Sequence, residues 1–249
     1  MAQETNQKLV EVDQVRKAFG AQKVLDGVSF KLQGGETVAI LGRSGTGKSV
    51  LLKIMIGLQQ ADAGSVRMLG QDIAQLDPQQ LADIRKKIGF LFQHAALYDS
   101  MTVLENVEFP LARHTDLSEQ DRKSRSRDLL RSVGMENEGD KLPSQISGGM
   151  QKRVGLARAL ALDPQIALFD EPTAGLDPIT AGEIADLITD LKNKRHMAAV
   201  VVTHDLRTAK RFSDRLILIE GGTVRAEGRL DDLKTNDDNF VKKFVQDAA

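Results

Sequence analysis

The chain has 249 residues, enough to bury a full core and to form one large domain or a domain with a lobe. Its 34 Lys and Arg offset 35 Asp and Glu to a net charge of -1, so no global field favours nucleic acid. The absence of cysteine excludes disulfides and cysteine-ligated zinc.

In chain order, Leu9-Val10-Glu11-Val12 and Val28-Ser29-Phe30-Lys31-Leu32 alternate apolar and polar, as half-exposed antiparallel strands do. Thr37-Val38-Ala39-Ile40-Leu41 is a continuous apolar run, the pattern of a strand buried in a mainly parallel sheet. Ser49 to Gly57 carries a helical period. From about Ala95 to Ala161 helical patterns dominate, with Ser118 capping the helix that opens at Glu119. Strand and helix then alternate through Ile166–Phe169, Ile179–Lys192, Ala199–Thr203 and Leu206–Phe212. Two closing strands, Leu216–Glu220 and Thr223–Ala226, flank a Gly221-Gly222 turn. The reading is one α/β core, about 1–92 and 162–228, a helical lobe at about 93–161, and a tail at about 229–249. The longest apolar runs, such as Met197 to Val202, fall far short of the about 20 residues of a membrane span. No basic-then-apolar opening resembles a signal peptide. A soluble cytoplasmic protein is expected, reaching any membrane process through a partner.

Gly42-Arg43-Ser44-Gly45-Thr46-Gly47-Lys48-Ser49 follows a buried strand and opens a helix, which is the setting of a phosphate-binding P-loop. Its glycines free backbone N–H groups to wrap phosphates, Lys48 neutralises the β- and γ-phosphates, and the Ser49 hydroxyl ligates Mg²⁺. Val50 follows, with only its N–H to offer. Ile166-Ala167-Leu168-Phe169 ends in Asp170 and Glu171. The first carboxylate is placed to hold Mg²⁺ with Ser49, the second to polarise an attacking water. For the bare dipeptide a helix cap is the commoner reading; the Pro172-Thr173-Ala174-Gly175-Leu176-Asp177 that follows argues against it. Ser147-Gly148-Gly149 opens an amphipathic helix with free N–H groups facing an anion, yet carries no phosphate loop of its own. Such a half-site is completed by a second molecule.

Taken together, these motifs resemble those of ATP-binding-cassette (ABC) ATPases, each present once, in family order, over nearly the whole chain. The resemblance implies an α/β P-loop NTPase fold with an N-terminal antiparallel β-subdomain, a RecA-like core and an inserted helical subdomain. It implies ATP and Mg²⁺ as ligands and a dimer around two ATP. Each site then pairs Phe19, Gly42 to Ser49, Gln93, Asp170, Glu171 and His204 of one copy with Ser147 to Gly149 and Asp177 of the other. Gln93 matches the Q-loop, touching Mg²⁺ and the attacking water; His204 matches the switch histidine at the γ-phosphate; Asp177 matches the D-loop. Phe19 matches the A-loop aromatic that stacks on adenine, although on its own it reads equally as a core aromatic. In the family many members carry a hydroxyl where this chain has Val50. His94, His114 and His196 have no metal-ligand spacing.

Met150 and Lys152 depart from the generic importer pattern Ser-Gly-Gly-Gln-Gln-Gln-Arg. Together with Ala96 to Val103 and Glu105-Asn106-Val107-Glu108-Phe109-Pro110-Leu111, they look like the ATPases of Mla and Mce phospholipid-transport systems. That resemblance implies peripheral attachment to the inner face of the cytoplasmic membrane through a permease, whose coupling helix enters a groove at His94–Leu111. It further implies a small STAS-domain protein and an Mce-domain protein as partners, and no nucleic acid. The alternatives are the ATPase of a polar-solute, amino-acid-type importer and a non-transport ABC switch protein on a membrane partner. The run Arg122, Lys123, Arg125, Arg127 and Arg131 reads as a solvated helix face. Phe240 and Phe244, four apart in the tail, form an apolar helical pair that docks on its own core or on a neighbouring subunit.

Overall fold

The computed structural model describes residues 8–246. Strands β1 (Lys8–Phe19) and β2 (Gln22–Gln33) form an antiparallel hairpin, followed by β3 (Thr37–Leu41) and helix α1 (Lys48–Met55). Next come β4 (Ala63–Met68), β5 (Gln71–Asp72), α2 (Pro78–Lys86) and β6 (Ile88–Leu91). A run of helices follows: α3 (Val103–His114), α4 (Glu119–Ser132) and α5 (Gly148–Ala159). The chain continues through β7 (Ile166–Asp170), α6 (Pro178–Arg195), β8 (Ala198–Thr203), α7 (Leu206–Phe212), β9 (Arg215–Glu220) and β10 (Thr223–Gly228). It closes with α8 (Leu230–Lys234) and α9 (Asn239–Gln246).

Two sheets result. One is antiparallel in the order β2-β1-β4-β5; the other is β10-β9-β3-β8-β7-β6, parallel except for the β9/β10 pair. The apolar runs of β3, β7 and β8 are buried at every position because both faces of this second sheet are covered. Side chains alternate between the faces, as the two-residue period of a strand demands. Val38, Ile40, Leu168, Val200 and Val202 pack with the antiparallel sheet and α1. Ala39, Leu41, Phe169, Ala199 and Val201 pack on the other side with α5, α6 and α7. Each large side chain buried this way contributes about 1.5–3 kcal/mol.

Local signals set the helix starts. Ser118 caps α4 by accepting from Asp121 N, as its position in the sequence implies. Thr102 and Glu105 form a reciprocal capping box at α3, and Asp77 with Gln80 does the same at α2. The segment from β4 to α2 has no clear period in the sequence: β4 has only two buried residues and α2 only one, so neither projects a strong apolar pattern. The basic run on α4 is largely engaged within the chain. Arg122 pairs with Glu108, Lys123 with Glu119, Arg125 with Asp163 and Arg131 with Asp128. In the tail, Val241 and Val245 are the buried residues of α9, while Phe240 and Phe244 pack partly buried beside them on the chain's own core. Arg225 of β10 fastens the start of α9 through Asp238 at 2.5 Å.

Gly89 of β6 lies so close to the end of α5 that an added Cβ would stand 2.5 Å from the Ala159 carbonyl oxygen. Gly89→Ala therefore forces β6 and α5 apart; we expect a loss of about 1–3 kcal/mol, the usual cost of overpacking, measured by thermal or urea unfolding.

Candidate nucleotide-binding site

The register of the parallel sheet brings the site together. Leu41 pairs with Thr203 and Asp170 pairs with Val202, so the carboxyl ends of β3, β8 and β7 stand level. Ligands of open α/β sheets bind beyond this edge. From the end of β3 the loop 42–47 turns back into α1, closing through Gly47 at φ 88°. A Cβ on Gly47 would stand 2.7 Å from the Val24 side chain, so only glycine lets β2 press against the loop. Phe19 lies at the tip of the β1/β2 hairpin, paired in register with Gln22. It is 45% exposed with Lys17 Nζ 5.6 Å from its ring centre, which removes the core-aromatic reading. Val50 packs its side chain on the core shared with the antiparallel sheet.

Lys48 is buried, and its ammonium donates to the carbonyl oxygens of Gly42 at 2.8 Å and Arg43 at 3.0 Å. Burial lowers its pKa, against the opposing pull of the Glu171 and Asp170 carboxylates. Ser49 Oγ donates to Asp170 Oδ1 at 2.7 Å. Asp170 is itself buried and its pKa is raised, first by desolvation and then by Glu171, with the Ser49 hydrogen bond only partly offsetting this. This is a fitting place for Mg²⁺, which is held by one or two carboxylates and phosphate oxygens and keeps waters of its own. No cluster of three or more His, Cys, Asp or Glu suited to a metal occurs among the described residues.

Glu171 is the crossing point. Its Oε2 lies 2.9 Å from His204 Nδ1 and its Oε1 lies 3.7 Å from Lys48 Nζ. Its backbone is left-handed at φ 47°, a conformation that costs a side-chain-bearing residue of order 1–3 kcal/mol. Glu171 N donates to Val202 O at 2.9 Å, tying the bend to β8. The sequence-derived set Gly42–Ser49, Asp170, Glu171 and His204 thus converges.

The others sit apart or face outward. Gln93 is exposed just past β6. Ser147 caps α5 by accepting from Met150 N at 3.3 Å; it is exposed, as is Gly148, while Gly149 is buried. Gln93, Gly148, Ala174 and Leu176 line one cleft of about 330 Å³. Asp177 caps its own helix α6, accepting from Ile179 N, Thr180 N and Thr180 Oγ1. A second cavity, about 680 Å³, is lined by Phe90, Phe92, Tyr98, Phe109, Pro110 and Arg158, among others. Within it the rings of Tyr98 and Phe109 are 4.9 Å apart.

Two residues matter beyond what the motifs marked. Asn106 is fully buried and closes the loop before α3: it accepts from Tyr98 N and donates to the carbonyls of Tyr98, Met101 and Thr102. A polar residue beside Val103 and Val107 on the apolar face of α3 is the signal that reveals it. Lys152, noticed in the sequence only as a departure from the importer pattern, is 5% exposed and donates to the carbonyl oxygens of Gln93 and Glu171.

A glycine-rich turn between a central parallel strand and a helix, with hydroxyl, carboxylate and lysine at its mouth, defines a P-loop nucleoside triphosphatase. Comparison with known proteins narrows this. The sequence profile of the family described as "ABC transporter" matches residues 25–174. The chain is 38% identical over 246 residues to the methionine import ATP-binding protein MetN 2 of Enterococcus faecalis, covering 97% of this chain and 71% of that protein. It is also 38% identical over 236 residues to the probable ribonucleotide transport ATP-binding protein mkl of Mycobacterium leprae, covering 95% and 68%. Among solved structures it resembles the dimeric, post-hydrolysis ATP-binding cassette MJ0796 bound to ADP and phosphate: TM-score 0.81, 37% identity, 88% of this chain and 98% of that one. The chain belongs to the ABC transporter ATP-binding family and is an ATPase whose ligands are ATP and Mg²⁺.

The charge at Asp170 leads to a pH-dependent prediction. Its raised folded pKa means that its ionised form opposes folding, a penalty present near neutral pH and lost as the pH falls towards the ordinary value of 3.8. In nucleotide-free protein, Asp170→Asn should unfold at an equal or higher temperature than the wild type at pH 8, with the advantage vanishing near pH 4. Paired thermal melts at the two pH values check this.

Proposed function

We propose that two copies of this chain close around two ATP molecules and drive a membrane permease. The observation that carries the reading is Glu171, held between Lys48 and His204 beside the Ser49–Asp170 pair. In this reading Phe19 stacks on adenine, a contact worth roughly 1–3 kcal/mol per base. The N–H groups of Gly42 to Ser49 wrap the phosphates, with the backbone of Val50 at the α-phosphate. Lys48 turns from its loop carbonyls to the β- and γ-phosphates. Ser49 and Asp170, with Gln93 beyond them, would hold Mg²⁺, which would supply charge neutralisation of the phosphate oxygens. Glu171 orients water and accepts its proton, and His204 aligns the γ-phosphate. The start of α5 at Ser147, Gly148 and Gly149, with Asp177, completes the site of the opposite copy. The dimeric assembly of the similar cassette supports this half-site arrangement.

The lobe, about residues 93–161, then carries motion to the permease, and the aromatic cavity of Tyr98 and Phe109 is where the permease docks. No helix among the described residues is long and apolar enough to cross a membrane, which fits attachment to its inner face through that partner. Two cargo readings differ in what supports them. Import of a small polar solute is the better supported by the relatives, one of which is named for methionine import. Phospholipid transport, with STAS- and Mce-domain partners, rests on Met150, Lys152 and the 105–111 segment. A relative named for ribonucleotide transport is equally identical to the chain. Cargo therefore does not track overall similarity. Co-purifying the permease and assaying bound phospholipid against solute-stimulated ATP hydrolysis separates the two: retained lipid favours the second, solute stimulation the first.

Glu171→Gln tests the chemistry. Hydrolysis should fall by about 10²–10⁴-fold, the usual contribution of a general base, with ATP binding retained and an ATP-bound dimer accumulating on gel filtration. Hydrolysis at the wild-type rate overturns the role of Glu171.

A further inference from the structure

We infer that Lys152 is a positioning residue that fixes the backbone of Glu171 and ties it to helix α5 and the loop after β6. The inference rests on the reading of Glu171 as the group that activates water.

A lysine buried to 5% exposure needs compensation, since an unpaired buried charge is costly. Among the described residues Lys152 makes no direct ion pair: its ammonium donates to the backbone oxygens of Gln93 and Glu171, the latter at 3.2 Å. The carboxylates of Asp170 and Glu171 act on it through space, opposing the downward shift that burial imposes on its pKa.

The two carbonyls it holds are telling. Glu171 is in the left-handed region, where a side-chain-bearing residue persists only if its surroundings over-determine it. Its N–H is held by Val202 O, and its carbonyl by Lys152 Nζ and by Ala174 N at 3.2 Å. Gln93 begins a loop that is also unusual, because Ala95 and Ala96 both have positive φ, 58° and 49°. A second cation of α5 holds them: Arg158 donates to Ala95 O at 2.5 Å and to Ala96 O at 2.8 Å. Helix α5 therefore grips residues 93–96 at both ends through Lys152 and Arg158. Of these two cations, Lys152 extends that grip to Glu171. A shift of α5 along its axis reaches the Glu171 backbone through one ammonium, without passing through nucleotide.

The test uses the full-length chain with three substitutions, Lys152→Met, Lys152→Arg and Glu171→Gln. Steady-state ATP hydrolysis is measured alongside equilibrium binding of a fluorescent ATP analogue and thermal melting. Lys152→Met keeps the volume and removes the donors. It should lower kcat by about 10–100-fold, the scale of a misplaced catalytic group, with KM and analogue affinity within about twofold. Lys152→Arg, which retains donors, should recover most of the lost kcat. A purely packing role predicts instead that kcat and affinity fall together, or that only the melting temperature moves. Either result, or a Lys152→Met rate within about twofold of wild type, overturns the inference. Should Lys152→Met fail to fold, Lys152→Leu, which also lacks a donor, carries the test: a lowered kcat at unchanged KM supports positioning, and a wild-type kcat refutes it. Glu171→Gln separates the two levels. If it hydrolyses normally, the reading of Glu171 fails and the inference with it. If it is inactive while Lys152→Met is not, only the positioning role falls.

Discussion

Two neighbouring carboxylates at the end of β7 sit where little water can reach them, and the surrounding structure is arranged to make that tolerable. Adjacent negative charges in such a place repel and lose hydration, and each requires its own compensation. Asp170 receives a hydroxyl from Ser49, at the start of a helix that begins more than a hundred residues earlier in the chain. Glu171 receives Lys48 from the same helix and His204 from the end of β8. These contacts exist only because β3, β8 and β7 end level, and that register depends on apolar strands buried on both faces. The compensation stays incomplete at Asp170, whose ionised form remains disfavoured. A site left short of positive charge is primed for a divalent cation, at some expense to the stability of the empty protein.

Much of this arrangement was legible in the sequence, and for physical reasons. The runs 37–41, 166–169 and 199–203 are apolar throughout because helices and a second sheet cover both faces, so their identity as central strands needed no tertiary information. The P-loop was legible because phosphate binding demands glycine, lysine and hydroxyl at fixed spacing. The segment from β4 to α2 was silent because its strands are short and largely exposed, and α2 buries only one residue. In the sequence Lys152 stands out only as a departure from the importer pattern. A charged residue on a helix is ordinarily solvent-facing, and nothing local reveals that this one points at two carbonyls from distant segments. Phe19 shows the converse: its pattern allowed a core role, and the hairpin tip leaves it exposed.

Ser147 stands where the start of α5 meets α6. Its helix begins at the surface, with Gly148 open to solvent and Gly149 pressed against the Thr180 side chain of α6. Asp177, which caps α6, stands at the other side of this contact. The start of α5 and the start of α6 are thereby braced against each other within one chain, so a molecule docking on one meets a surface whose shape the other has set.

The two apolar clusters divide the molecule in a way that the subdivision into core and lobe conceals. Val103 and Val107 of α3 and Leu129 and Leu130 of α4 belong to the same continuous cluster as Ile184, Ala209 and Val241 from the layer behind the sheet. Swinging the lobe open as a door would tear this cluster and expose apolar surface at roughly 25 cal/mol for every Å². Sliding it over the layer below keeps that surface covered. A displacement of α3 and α4 that keeps this surface covered is of the shear kind, made of small lateral steps between packed helices. Its range is bounded by how far one row of side chains can travel before meeting the next.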